Sequence, residues 1–315
     1  MSAKDLSILI PARNEEFLSK TIEDILSNIK ADTEVIAVLD GAWTNPPIKQ
    51  HPRVIVVYLP ESIGQRAATN LACRLSKAKY IMKVDAHCAF DKGFDKKMIE
   101  IMQDDWTAVP IMRNLHAFDW LCKCGFSHYQ DKGEMCPQCG KNMEKKMIWE
   151  PRPGTRNWSY CFDSEPHFQY FREYGKRPEV IAQGDLTETM SLQGSAFMLT
   201  RDKYWELNIC DENFGSWGSQ GIEVAVKTWL SGGRVMVNHK TWYAHMFRTK
   251  AQNGFGFPYQ LSGKQVDGAK KRTRELFYDG KWDKAIHPLS WLIERFMPVP
   301  GWTKNDIKQL KEKEV

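Results

Sequence analysis

The chain has 315 residues, 42% of them hydrophobic and 26% charged, with a formal net charge of +5. This is the make-up of a soluble globular protein with room for one large α/β domain and an elaboration, or for two modest domains. No apolar run approaches bilayer-spanning length, and residues 1–5 lack the basic-then-apolar pattern of a secretory leader. A membrane element is therefore not expected, and the expected setting is the cytoplasm (a host cytoplasm if the chain is virus-encoded).

The first third alternates β-rich runs with helical stretches. Strands are predicted over 6–10, 34–39, 54–58 and 80–84, and helices over 17–28 and 64–77. In the second helix Ala67, Leu71, Ala72 and Leu75 recur at helical spacing. Such alternation argues for a mostly parallel sheet with helices on both faces. In such sheets ligands sit at the carboxyl ends of the strands, here Pro11–Glu15, Asp40–Gly41 and Asp85–His87. The glycine fingerprints of the dinucleotide fold and of the P-loop are both missing. Residues 117–148, rich in Cys, Lys and Gly, read as an insertion, and 149–190 as long ordered loops over a site. Regular structure resumes with a strand over 195–199, a helix from Arg201, a helix over 221–230 and a strand over 234–237. Residues 251–315 form a basic, aromatic tail.

Two constellations carry chemistry. In Asp85-Ala86-His87 a strand ends in a carboxylate, and an imidazole follows two residues later. In extended backbone these two side chains face the same way, so an oxygen and a nitrogen ligand converge on one cation. Mn²⁺ suits that pair better than Ca²⁺, with Mg²⁺ as the alternative. On spacing alone, a surface aspartate beside a hydrogen-bonded histidine fits as well. Four of the 8 cysteines, Cys122, Cys124, Cys136 and Cys139, form two pairs, each followed by glycine. That pattern points to a structural Zn²⁺ with no open position, against adventitious thiols or redox exchange. In the tail, Lys264, Lys270, Lys271, Arg272 and Arg274 lie among Phe255, Phe257, Tyr259, Phe277, Tyr278 and Trp282. This mixture fits either a nucleic-acid track or a solvated helix packing its aromatics on the core.

The ordered set Ile8 to Glu15, Asp40-Gly41, Glu61 to Asn70 and Asp85-Ala86-His87 resembles the family 2 nucleotide-diphospho-sugar transferases of the GT-A fold. Farther on, Leu192-Gln193-Gly194-Ser195-Ala196-Phe197, Trp217 to Glu223, Trp229 to Gly233 and Ala244 to Arg248 look like the catalytic core of the polypeptide N-acetylgalactosaminyltransferases. The likeness spans roughly residues 5–115 and 190–250. It implies an α/β GT-A fold with 1–116 as the nucleotide-sugar-binding half and 149–250 as the acceptor and catalytic half. Residues 117–148 become a zinc-ribbon insertion and 251–315 an extension.

The same resemblance implies a hexosyl- or N-acetylhexosaminyltransferase that uses a nucleotide-sugar donor, UDP-linked by analogy. Asp85, His87 and His245 would be its metal ligands. Trp217 would border the donor sugar, Asp40 would contact base or ribose, and Arg66 and Arg248 would lie near the phosphates. Pro11, Ala12, Arg13, Glu15 and Gly194 would complete the donor site. Two departures bear on the chemistry: Gln220 stands where the family has Glu, and Gly221 where related inverting enzymes place an Asp base. A neutral amide cannot act as a base. Either the reaction retains configuration, the preferred reading, or Glu223 or Asp185 supplies the base. Glu223 also fits a plain helix-dipole acid, and Trp217 plain core packing. Expected acceptors are a hydroxylated base in DNA, as in virus-encoded DNA modification, or a protein Ser/Thr or glycan. A transferase core turned nucleic-acid-binding module is the alternative outside catalysis.

Overall fold

The computed structural model describes residues 4–130, 133–247 and 263–314. In the first third the elements are β1 (Leu6–Ala12), α1 (Leu18–Asn28), β2 (Thr33–Asp40), β3 (Val54–Leu59), α2 (Gln65–Leu75) and β4 (Tyr80–Val84). Next come β5 (Cys88–Phe90), α3 (Phe94–Ile99), β6 (Trp106–Leu121), β7 (Ser127–Tyr129), β8 (Glu144–Pro151), β9 (Tyr160–Phe162), β10 (Phe168–Tyr170) and α4 (Pro178–Ile181). The rest are β11 (Leu186–Glu188), β12 (Ala196–Thr200), α5 (Arg201–Glu206), α6 (Gln220–Leu230), β13 (Arg234–His245), α7 (Gly263–Thr273), α8 (Leu289–Phe296) and α9 (Lys304–Lys313). No helix among the described residues is long and apolar enough to cross a membrane.

The main sheet runs β11-β13-β6-β12-β4-β1-β2-β3. Strands β4, β1, β2 and β3 are parallel, β12 is antiparallel to both neighbours, and β13 is parallel to β6. Strand β1, Leu-Ser-Ile-Leu-Ile-Pro-Ala, is buried at every position. That follows from helices covering both faces of a parallel sheet, which demands apolar residues on both. Helix α1 covers one face with Leu18, Ile22 and Ile25. The opposite face carries α2, through Ala68 and Ala72, and α6, which is buried over ten of its eleven residues and so lies in the interior.

Packing ties both the cysteine segment and the tail to the main body. The boundary at 116/117 falls inside β6, which runs 16 residues from the main sheet into the cysteine segment, where it pairs with β7 and β8. The ribbon is therefore an outgrowth of that strand. The tail likewise belongs to the main body. Phe277, Tyr278 and Trp282 are buried in the α6-side core together with Leu292 and Phe296 of α8, so the core-packing reading holds for these aromatics. Phe255, Phe257 and Tyr259 lie outside the described residues.

Candidate active site and cysteine centre

Asp85 follows β4, His87 precedes β5, and His245 ends β13. Pairing of β13 with β5 sets His245 opposite Cys88 and so carries it beside His87, 158 positions earlier in the chain. The Nε2 atoms of the two imidazoles stand 3.1 Å apart, and Asp85 Oδ2 lies 3.2 Å from His245 Nε2 and 3.9 Å from His87 Nε2. Ligands about 2.1 Å from a small divalent ion at right angles stand about 3 Å apart, so these three atoms fit one ion.

The protonation states suit ligation. Glu15 Oε2 and His87 Nδ1 pair at 3.3 Å, so Nε2 is the ring nitrogen that faces the corner. Burial pushes His245 down to about 4 against the opposing hydrogen bond to Asp85, so its ring is neutral near pH 7. Burial alone would raise Asp85, but Lys83, then His245 and His87, hold it well below the usual carboxylate range.

The corner opens on a cavity of about 540 Å³. Its wall includes Pro11, Glu15, Phe168, Gly194, Trp217, Gln220, Phe247 and Lys270. Lys83 was not anticipated from the sequence, although the signal was there. A lysine in the buried run Ile-Met-Lys-Val, two residues before Asp85, must share that residue's face. It is 1% exposed, pairs with Asp85 and donates to Gly194 O at 2.7 Å.

Several expected site residues stand elsewhere. Arg66, 1% exposed, donates from Nε to Glu223, from Nη1 to Gly215 O at 2.9 Å and from Nη2 to Gly218 O at 2.6 Å. It anchors the loop that carries Trp217 and does not line the cavity. Glu223 is fully buried. It accepts from Arg66 at 3.2 Å, from Lys227 at 2.9 Å and from the Asp211 N–H at 2.8 Å, so it cannot serve as a base in the cavity. Asp185 sits at the outer edge of the sheet, 69% exposed and paired with Lys240, away from the cavity wall. Asp40 is also fully buried, with its carboxylate accepting from Ser62 Oγ and from the N–H groups of Ile63 and Gly64. It shapes the turn into α2 rather than the cavity. Ala12 closes β1 as a buried residue, and Arg13 lies beside Gly41; neither lines the cavity. Arg248 is outside the described residues. At Gly221 any Cβ would meet Leu192 O at 1.9 Å, so close approach of α6 to that loop excludes an acid there.

Away from the cavity, the sulfurs of Cys122, Cys124, Cys136 and Cys139 all lie within 4.8 Å of one another, with Cys122–Cys139 at 3.4 Å and Cys124–Cys136 at 3.7 Å. Four sulfurs about 2.3 Å from a tetrahedral zinc stand about 3.8 Å apart. Gly125 and Gly140 adopt φ of 90° and 66° and donate to Cys122 O and Cys136 O, the tight turns that such a knuckle needs. Burial would raise Cys136, but the N–H groups of Cys139 and Gln138 and the neighbouring thiols bring it down to about 7.

The fold is that of the GT-A class, and residues 7–120 match the family described as Glycosyl transferase family 2. Within that class the chain resembles the catalytic cores of the polypeptide N-acetylgalactosaminyltransferases. It is 22% identical over 302 residues to polypeptide N-acetylgalactosaminyltransferase 3 of Homo sapiens, covering 89% of this chain and 43% of that protein. It is 23% identical over 303 residues to polypeptide N-acetylgalactosaminyltransferase 8 of Drosophila melanogaster, covering 89% and 44%. The chain thus spans less than half the length of these relatives. Among solved structures it matches GalNAc-T7 with UDP, GalNAc and Mn²⁺, at a TM-score of 0.62 and 15% identity, over 98% of this chain and 54% of that one.

Proposed function

We propose that this protein transfers a sugar from a UDP-sugar to an acceptor hydroxyl, using a divalent cation held by Asp85, His87 and His245. The observation that carries the reading is the convergence of those three ligand atoms, 3.1 to 3.9 Å apart, at strand ends that open on the cavity. Mn²⁺ held there would supply positive charge against a departing diphosphate. The chain's own residues do the positioning. Glu15 fixes the ring of His87, Lys83 ties Asp85 to the Gly194 carbonyl, and Trp217 offers an apolar wall for the sugar.

The carboxylates that line the cavity, Glu15 and Asp85, are both committed to other groups, and Gln220 is neutral. That scarcity of a base favours a retaining reaction. For the acceptor, the reading is a hydroxylated base in DNA. Aromatic Phe168, Trp217 and Phe247 line the cavity together with Lys270, a set that suits a planar base on an anionic strand. The names of the relatives support a second reading, a polypeptide Ser/Thr hydroxyl.

Radiolabelled UDP-sugars offered with Mn²⁺ to hydroxymethylated DNA and to Ser/Thr peptides will separate these readings. Label on DNA supports the first and label on peptide the second. Absence of any UDP release would make the protein a binding module. Four thiolates held as a zinc knuckle, with all eight cysteines unbridged, also fit a reducing setting such as the cytoplasm. Elemental analysis is expected to return one zinc per chain, lost on Cys136→Ser. Zinc content unchanged by that substitution would remove the knuckle.

A further inference from the structure

The stretches of chain that build the metal corner also feed a third hydrophobic cluster, distinct from the two that flank the sheet. Glu15 is followed two residues on by Phe17, His87 is followed two residues on by Ala89, and His245 sits between Ala244 and Met246. Those four neighbours are at most 3% exposed and share one cluster with Cys122 and Cys136 of the ribbon. Successive strand residues point to opposite faces. His245 can therefore face the cavity while Ala244 and Met246 face the ribbon.

Phe17 is the centre of this contact. Its ring stacks on Phe118 at 5.9 Å between centroids and lies 5.8 Å from Trp149. Lys145 Nζ sits over Phe17 and Phe118 at 5.6 and 5.0 Å and pairs with Glu16 at 2.5 Å. Trp149 is held at φ of 61°, a left-handed conformation costly for a bulky residue. Such strain persists only where the surroundings over-determine it. Ribbon groups thus grip residues 16 and 17, immediately after the carboxylate that accepts from His87.

We propose that the cysteine ribbon is a positioning element for the metal corner: by gripping Phe17 it fixes Glu15, and through Glu15 the ring of His87. The proposal rests on the reading of Asp85, His87 and His245 as metal ligands. An outer partner of a ligating imidazole fixes its tautomer and direction, and losing one costs roughly 10–100-fold in metal affinity. Phe17 and Lys145 act here without touching substrate or ion.

The test is a Mn²⁺ titration of the full chain, followed by the paramagnetic signal of the free ion, with zinc content measured alongside. Phe17→Ala should weaken Mn²⁺ binding roughly tenfold with zinc retained. Lys145→Met, at a side chain 30% exposed, removes one cation from the aromatic face and should weaken it about two- to fivefold. It decides the matter if Phe17→Ala does not fold. Leu292→Ala, in the core on α8, should lower thermal stability and leave Mn²⁺ affinity unchanged. Unchanged affinity in both Phe17→Ala and Lys145→Met overturns the proposal, as does an equal loss in Leu292→Ala. A wild type that binds no Mn²⁺, or an Asp85→Ala protein that binds it as tightly, overturns the metal reading itself and this proposal with it.

Discussion

Asp85→Ala is expected to lower Mn²⁺-dependent release of UDP from its donor by at least roughly 10²–10³-fold, the scale seen when one preorganised charge is removed from an active site. Two effects act together. The substitution removes the anionic member of the ligand set, and it leaves Lys83, 1% exposed, with only the Gly194 carbonyl for its charge. An unpaired buried ammonium is costly, so the variant should also melt earlier. Circular dichroism distinguishes the two outcomes, because a folded but inactive protein places the loss at the site. Turnover within about twofold of wild type, in a folded protein, would remove Asp85 from the mechanism.

The second large effect concerns stability. Glu223→Gln should cost about 3–5 kcal/mol of folding free energy, the usual penalty for breaking a buried ionic pair from one side. Glu223, Arg66 and Lys227 are all at most 1% exposed, and this carboxylate is the charge that Arg66 and Lys227 share. Gln keeps the shape but leaves two interior cations with no anion between them. Because Arg66 also donates to Gly215 O and Gly218 O, partial unfolding should begin at the loop that carries Trp217. Chemical denaturation checks this. If Glu223 were instead a general base, the variant would keep wild-type stability and lose only turnover.

The fold was legible because its sequence signals are local. Continuous apolar runs such as β1 and the one-sided pattern of α1 announce themselves within a dozen residues. The Asp85–His87 pair was legible for the same reason, since two residues apart on extended backbone fixes a shared direction. His245 was not readable from spacing. It joins the corner only through the register of β13 on β5 and entered the sequence reading by resemblance alone. Burial is what hides the roles of Arg66, Glu223 and Asp40 from a sequence. A sequence does not show that an arginine and a glutamate 157 positions apart will neutralise each other inside the core, so both look available for ligands. Lys83 is hidden for the opposite reason, because a lysine in a strand usually lies at the surface and this one is buried. The ribbon's cysteines were plain, but its attachment was not. A 16-residue β6 with a register shift between His116 and Phe118 carries the main sheet directly into the knuckle.

In the proposed function one aspartate and two histidines grip a divalent ion at the ends of β4 and β13. Crystals grown with Mn²⁺ and UDP, measured at the manganese absorption edge, test it directly. The expected result is an anomalous peak about 2.0–2.2 Å from Asp85 Oδ2, His87 Nε2 and His245 Nε2. UDP bound in the cavity with no manganese peak at that corner, or with the peak on other residues, would contradict it.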